Sequence, residues 1–382
     1  MVFRAHKIAL DPNNVQYTHL MRCAGVSRFV HNWALTRWNE QIAAHKLDYS
    51  IGKPSIPALQ CELHRARAES FPWMSEVADC IPSEAIKDLG RAFSRYYKGC
   101  SSYPRFHRKG VRDSFRLSRG FFQVRGTRLY IPQIGWIRMR EEIRYPNAQP
   151  MSITISRRAD RWFASILCKI EKTQREGSAD AHQRIVGVDA GVHEYVCSDG
   201  TRFDVPRAYR NAEKALRRAQ QTLSRKEEDS ANYAKQQMKV ARLHRKVADI
   251  RADWLHKMSA HIVSQNATIV IEDLDVADMI QNRSLAKSVS DASFGEFARQ
   301  IKYKAEEIGH TVIVADRFFP SSKLCSVCGV VVSHLGLNER IWVCPNCETP
   351  HDRDLNAAIN LSRYAARSAV SACGELKTVG GQ

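Results

Sequence analysis

Apolar positions change their period along the chain, and each change marks a new element. Positions 3–10 alternate as a strand does, and Asp11-Pro12-Asn13-Asn14 is a turn that caps a helix over about 15–23. A second helix is expected from Val26, with Phe29, Val30, Trp33, Ala34, Leu35 and Trp38 on an apolar face edged by Arg28 and Arg37. Residues 52–57 read as a loop, and 58–97 as two or three helices broken at Phe71-Pro72 and Ile81-Pro82. From 121 to 172 the period drops to two: 129–131, 136–139, 152–155 and 162–167 alternate between Gly, Pro and Asp turns. With the opening strand they could close a small barrel.

Residues 173–183 are polar and contain Gly and Ser, the composition of a linker. Beyond them, 184–188 is a buried-type strand that ends at Asp189. Residues 195–197 and 202–203 make the second and third strands of a meander around Ser198-Asp199-Gly200. No Gly or Pro occurs from 207 to 261, so this stretch reads as a helical hairpin that turns around 227–232. A strand at 268–271 ends at Glu272, and 279–288 reads as a loop. Ser290 or Asp291 then caps a helix with Phe294, Phe297, Ile301, Ala305 and Ile308 on one face, ended by Gly309. A strand at 311–315 precedes a cysteine-rich segment, and Leu355, Ala358, Ile359 and Ser362 recur at helical spacing from Asp354 onward.

Charge narrows the partners. The 382 residues carry 58 Lys plus Arg against 40 Asp plus Glu, a formal net charge of +18, which calls for a polyanion. Nucleic acid is the first candidate and a membrane surface the second. No apolar run reaches the roughly 18–20 residues of a membrane span, and the first ten residues lack a signal-peptide core. A cytoplasmic, prokaryotic location with reduced thiols is expected, in association with the nucleoid when DNA is bound. Residues 103–116 interleave aromatics with cations, and Tyr103, Arg105, Arg108, Lys109 and Arg112 are candidate nucleic-acid contacts, cations for phosphates and a ring for stacking. A solvated basic loop is the plainer alternative. The hairpin is basic too, with 14 Lys or Arg against 6 Asp or Glu between Arg207 and Lys257, although one charge run is ordinarily a solvated helix face.

Two kinds of chemistry crowd into residues 321–361. Cys325, Cys328, Cys344 and Cys347 form two Cys-x-x-Cys knuckles fifteen residues apart, a spacing that lets four thiolates converge on one tetrahedral ion, most simply a structural zinc. Disulfides fit poorly: eleven cysteines is an odd count, and the other seven are scattered. Asp354 follows closely at a helix start, where an Asp taken alone is an N-cap. Order gives it more weight. A strand ending at Asp189, two further strands, a helical segment, a strand ending at Glu272, a helix, a strand and a helix starting at Asp354 follow the order of an RNase H-type sheet. In that arrangement three carboxylates meet at one point and can hold two Mg²⁺ ions about 3.5–4 Å apart for phosphodiester hydrolysis.

The motifs V-G-V-D-A-G-V with S-D-G, I-V-I-E-D-L-D-V-A-D-M, F-F-P-S-S-K-L-C-S-V-C-G, C-P-N-C and H-D-R-D-L-N-A-A-I-N resemble those of the TnpB (OrfB) proteins of insertion sequences. L-D-P-N-N-V-Q, G-V-S-R-F-V-H-N-W-A-L and Y-P-R-F-H-R-K resemble that family's front half. The resemblance implies a transposon-encoded, RNA-guided DNA endonuclease related to type V CRISPR effectors, with an α/β multi-domain fold. Its expected parts are a wedge-like β-barrel over 1–14 and 101–172, a helical recognition insert over 15–100, and a linker over 173–183. A RuvC-like nuclease follows over 184–319 and 351–372, with a zinc ribbon over 320–350 and a disordered tail over 373–382.

Carried over by position, Asp189, Glu272 and Asp354 would be the catalytic, Mg²⁺-binding acids and the four cysteines the zinc ligands. Asp352 competes for the third place, Asp273 and Asp275 read as surface or outer charges, and Arg353 would either touch the scissile phosphate or pair with a neighbouring acid. Ala190 departs from the larger apolar residue usual in the family without removing a ligand. The implied partners are a structured guide RNA (omega RNA) from the element's end and double-stranded target DNA, with one protein copy per RNA and no membrane. A nuclease-silent regulator is the alternative, disfavoured because all three acids are present. A transposase acting in strand transfer comes third, since none of the 14 histidines forms a His-x-His pair.

Overall fold

The computed structural model describes residues 2–111, 113–145, 147–170, 184–336 and 339–374, with the side chains of the final helix described as far as Ala365. The chain divides into two compact units, Met1–Lys172 and Thr173–Gln382. The expected linker at 173–183 falls outside the described residues, as do Arg112 and the tail beyond Gly374.

In the first unit, β1 (Val2–Asp11) leads into α1 (Asn14–Leu47), followed by α2 (Ile56–Ser70), a short 3-10 turn (Pro72–Glu76) and α3 (Cys80–Tyr97). Strands β2 (Ser114–Ser118), β3 (Gln123–Arg125), β4 (Arg128–Ile131), β5 (Gly135–Met139), β6 (Gln149–Arg158) and β7 (Arg161–Ile170) complete it. The order β2-β6-β7-β1-β5-β4-β3 is antiparallel throughout. The period-two signal is explicit in β7, where Trp162, Ala164, Ile166 and Cys168 are buried and their neighbours are not. Asn13 starts α1 through a capping box: its Oδ1 accepts from the Gln16 N–H at 2.9 Å, and Gln16 Oε1 accepts from the Asn13 N–H at 3.1 Å.

Two expectations are corrected in this unit. The helices foreseen at 15–23 and from 26 are one 34-residue helix, which buries Leu20, Cys23, Ala24, Val26 and Val30 without interruption across Gly25. Packing of a continuous stripe outweighs the cost of about 1 kcal/mol for glycine inside a helix. Residues 114–116, read as the end of a nucleic-acid-binding stretch or a solvated basic loop, belong to strand β2, with Phe115 and Leu117 pointing into the core.

The second unit holds β8 (Ile185–Ala190), β9 (Glu194–Cys197), β10 (Arg202–Asp204), the hairpin α4 (Ala208–Ser224) and α5 (Ala231–Gln265), then β11 (Thr268–Glu272). Two short helices, α6 (Val276–Gln281) and α7 (Ala286–Ala292), replace the loop expected at 279–288. Next come α8 (Phe294–Ile308), β12 (Thr311–Ala315), the ribbon strands β13 (Ile341–Val343) and β14 (Pro350–Asp352), and α9 (Arg353–Gly374), which runs into the start of the expected tail. The sheet order is β10-β9-β8-β11-β12, with β8, β11 and β12 parallel and the meander strands antiparallel. One face packs Val186, Val188, Ile269 and Ile271 against α5 and α8 through Leu255, Ile262, Phe297 and Ile301. On the other face Val270 and Ala315 meet Leu361 and Ala365 of α9. No described helix is long and apolar enough to cross a membrane.

Candidate catalytic and metal sites

Strand alternation decides where the acids point. In β11, Ile269 and Ile271 face α5 and α8 while Val270 faces α9, so Glu272 falls on the α9 side. In β8, Val186 and Val188 likewise face α5 and α8, which leaves Gly187 and Asp189 for α9. Val188 pairs with Ile271, so Asp189 and Glu272 are the next residues in register on neighbouring strands. Both lie at carboxyl ends of parallel strands, where open α/β sheets bind their ligands.

Gly187 brings the third acid in. A Cβ at this position would lie 2.1 Å from the Ala358 carbonyl oxygen, 2.4 Å from the Ser362 nitrogen and 2.8 Å from Leu361 Cβ. The helix backbone therefore rests directly on the strand. Asp354 stands one turn before Ala358 on α9, about 6 Å along its axis, and Asp189 stands two residues beyond Gly187, about 7 Å along β8.

Asp189 lies within electrostatic reach of both other acids. The Asp189 carboxyl is pushed well above its ordinary range, first by burial, then by the Glu272 and Asp354 charges, with Arg353 and Arg340 pulling it back. Burial also raises Glu272, and the Ser321 hydroxyl, donating to Glu272 Oε1 at 2.8 Å, opposes that rise. Asp354 accepts from Arg340 Nη1 on both oxygens, at 3.0 and 2.8 Å. A recessed carboxylate pair short of positive charge is the donor set that a hard divalent cation relieves.

Asp352 is engaged elsewhere. Its Oδ1 accepts from the Leu355 N–H at 2.9 Å as the cap of α9, and its Oδ2 pairs with Arg202 Nη2 at 2.9 Å. Arg353 donates from Nη1 to the Gly336 carbonyl at 2.9 Å. Asp273 and Asp275 pair with Arg317 at 3.0 and 3.1 Å. Sequence reasoning missed Arg340, whose only local signal is its place before β13. The Arg353 N–H donates to the Arg340 carbonyl at 2.8 Å, and the β13–β14 ladder brings the two residues together.

The four knuckle thiols lie within 4.8 Å of one another, with Cys325–Cys347 and Cys328–Cys344 each at 3.6 Å. Tetrahedral bonds of about 2.3 Å require S···S separations of about 3.8 Å, so the cluster has the dimensions of a zinc site rather than of two disulfides. The Thr349 hydroxyl and N–H hold Cys347 down to about 6, favouring the thiolate. His351 Nε2 lies 3.1 Å from Cys325 Sγ with its ring against Trp342, which ties the cluster to the strand leading into Asp354. The other described cysteines are free.

The described front-half candidates form one loop on α1 and α3. Tyr103 donates to Asn39 Oδ1 at 2.6 Å and meets Phe93 and Tyr96 edge-on, while Arg105, Arg108 and Lys109 are exposed. Asn32 brackets His107 by accepting from its N–H at 2.8 Å and donating to its carbonyl at 3.0 Å, and the His31 and His107 rings stack 3.7 Å apart. At the loop's end, buried Asp113 accepts from Gly110 N–H, Arg28 and Arg157. The anchors on α1 escaped sequence reasoning because they lie 64 to 85 residues from what they hold.

Comparison with known proteins is consistent along the chain. A family described as "Probable transposase" matches residues 165–283, one described as "Cas12f1-like, TNB domain" matches 294–361, and a "Helix-turn-helix domain" matches 1–46, where the structure has one strand and one continuous helix. A Streptomyces pristinaespiralis protein named "Putative RNA-guided DNA endonuclease" is 37% identical over 98% of this chain and 92% of its own length. The Escherichia coli K12 protein of the same description, InsQ, is 31% identical over 98% and 94%. A solved structure titled "Cryo-EM structure of the Cas12f1-sgRNA-target DNA complex" aligns with 92% of this chain and 83% of that one at 14% identity and a TM-score of 0.53, a likeness of fold.

Proposed function

We infer the activity from the premise that this chain belongs to the TnpB (OrfB) family. It is an RNA-guided DNA endonuclease of the kind its relatives are named for. What supports the nuclease reading is that Asp189, on the α9 side of the second sheet, feels the charges of Glu272 on the next strand and of Asp354 on α9. In this reading the second unit is RuvC-like and those acids bind two Mg²⁺ ions. When bound, such ions lower the pKa of a water nucleophile and neutralise charge on the leaving 3′-oxygen.

The chain's own residues prepare that site. Ser321 orients Glu272 by donating to Oε1, which leaves the other oxygen available. Arg340 pairs with Asp354 and puts a half-exposed guanidinium beside the place a phosphate would take, where it can offset charge built up on the phosphorane oxygens. Asp352 caps α9 and so fixes the approach of Asp354. Zinc held by the four thiols would staple the ribbon that carries Arg340 on one strand and leads into Asp354 from the other.

In the first unit, the seven-stranded sheet serves as the wedge-like barrel and residues 15–100 as the recognition insert. The exposed cations of 103–110 contact phosphates of a guide RNA or of its duplex with the target. Base pairing then selects the sequence while the protein reads backbone and a short flanking motif.

The test is to purify the protein with the RNA it retains, sequence that RNA, and challenge a plasmid library with randomised flanks around the matching target in Mg²⁺. Cutting that needs the RNA and Mg²⁺ and disappears in Asp189→Ala supports the reading. Binding by both proteins without cutting by either makes the chain a regulator.

A further inference from the structure

The loop between β12 and the first zinc knuckle exposes one large apolar side chain and fastens its neighbours. Phe318 is 87% exposed. Arg317 before it is held by Asp273 and Asp275, Phe319 after it packs on Tyr364 with ring centroids 5.0 Å apart, and Ser321 donates to Glu272. The turn is closed from within by the Phe318 N–H donating to Asp316 Oδ1 at 2.8 Å and the Phe319 N–H to the Asp316 carbonyl at 3.0 Å. Asn360 of α9 grips the Ser321 carbonyl at 2.8 Å. A phenyl ring left in water on a loop pinned from both sides is not an unfolded tip, and none of these anchors needs an aromatic residue at 318.

Its place in the sheet says what it would meet. Ala315, the last residue of β12, pairs in register with Glu272. Phe318 is three residues further on, so its Cα lies within roughly 10 Å of Ala315, one strand-spacing from the acid. Asp189 and Glu272 thus lie at, and Phe318 just beyond, the carboxyl ends of three adjacent parallel strands. A nucleotide or two of unstacked strand spans that interval, and every base has a π-face for an exposed ring to stack on.

We propose that Phe318 stacks on an unpaired nucleobase of the DNA strand entering the carboxylate site, holding single-stranded substrate next to the scissile phosphate. It is a substrate-binding residue distinct from the acids, and the proposal rests on the nuclease reading above. Sequence tolerance follows, since stacking does not select a base. Removing the ring is expected to weaken productive binding of single-stranded substrate by about 5- to 150-fold, the range that alanine substitution gives for one base–aromatic stack. The loss falls mainly on KM, because the acids remain in place.

The experiment uses the full chain with its copurified RNA. Single-stranded targets matching the guide carry 2-aminopurine at one position at a time along the cleaved region, and Glu272→Gln prevents cutting. Stacking on Phe318 should quench one or two adjacent positions, Phe318→Leu should restore their fluorescence, and Phe318→Trp should quench them again. In the otherwise native chain, Phe318→Leu should raise KM with kcat little changed, and Phe318→Tyr should recover it. A quenching profile unchanged by Phe318→Leu overturns the proposal, as does parental KM in that variant. If the parent complex does not cut at all, the nuclease reading falls, while the fluorescence profile still decides whether Phe318 stacks on DNA.

Discussion

Gly187→Ala asks whether one methyl group can disarm the site without touching a ligand. The added Cβ would sit 2.1 Å from the Ala358 carbonyl, and ordinary contact begins at 3.4 Å, so α9 must retreat by about 1.3 Å or tilt. Both offending atoms nearest to it are backbone, so no side-chain rotation relieves the clash. Overpacking of this kind costs about 1–3 kcal/mol, and at about 2–4 °C per kcal/mol for a unit of this size the second unit should lose roughly 2–12 °C in Tm. The catalytic cost is larger. Asp354 rides on the displaced helix, and about 1 Å of misplacement costs about 100-fold in rate. The assay is single-turnover cleavage of a matched target, alongside zinc content and guide-RNA binding, both expected at parental levels. Gly295→Ala is the control, because nothing lies within 4 Å of its Cβ position and the residue opens α8. Cleavage by Gly187→Ala within about threefold of the parent would refute the argument that strand–helix contact sets the position of Asp354.

Three further outcomes are expected. Asp189 has a raised carboxyl, so its charged form opposes folding: in buffer without Mg²⁺, Asp189→Asn should raise Tm at pH 7–8, and the gain should shrink as pH falls toward the ordinary carboxylate range near 4, as thermal melts across that window will show. Cys344 is fully buried among the four thiols, so Cys344→Ser should lower zinc content measured by metal analysis and, with the ribbon slackened, abolish cleavage while leaving guide-RNA binding intact. Asn32→Ala removes two hydrogen bonds to His107, about 1–3 kcal/mol in all, and should make the 103–110 loop the first site of limited tryptic cleavage, at Arg105, Arg108 or Lys109.

Much of the second unit could be read from residue order. Buried-type strands that end in Asp189 and Glu272 and a helix that opens at Asp354 follow local periodicity, and two Cys-x-x-Cys knuckles leave few alternatives for their chemistry. Long-range contacts left no such trace. The preference for Asp354 over Asp352 rests on resemblance alone in the sequence, and the structure adds a physical ground by giving Asp352 to the α9 cap and to Arg202. Arg340 reaches Asp354 through a hairpin, which no periodicity encodes. The two helices expected on either side of Gly25 are one because packing along α1 overrides the glycine, and Arg116 on the outer face of β2, at the end of a basic stretch, disguised a strand whose inner residues, Phe115 and Leu117, alternate correctly. Gly187 did carry a signal, since an isolated glycine in a strand marks a close backbone approach.

The path of α9 across Gly187 also sets an order of assembly during synthesis. Asp189 and Glu272 leave the ribosome well before Asp354, and residues 358–362, which seat the helix on the strand, come later still. At about 5–20 residues per second, the nascent chain spends several seconds with two acids made and the third absent. Through that interval the first unit, whose last residue is 172, can fold while the acid set is still unfinished. The blade is therefore the last part of the molecule to be finished.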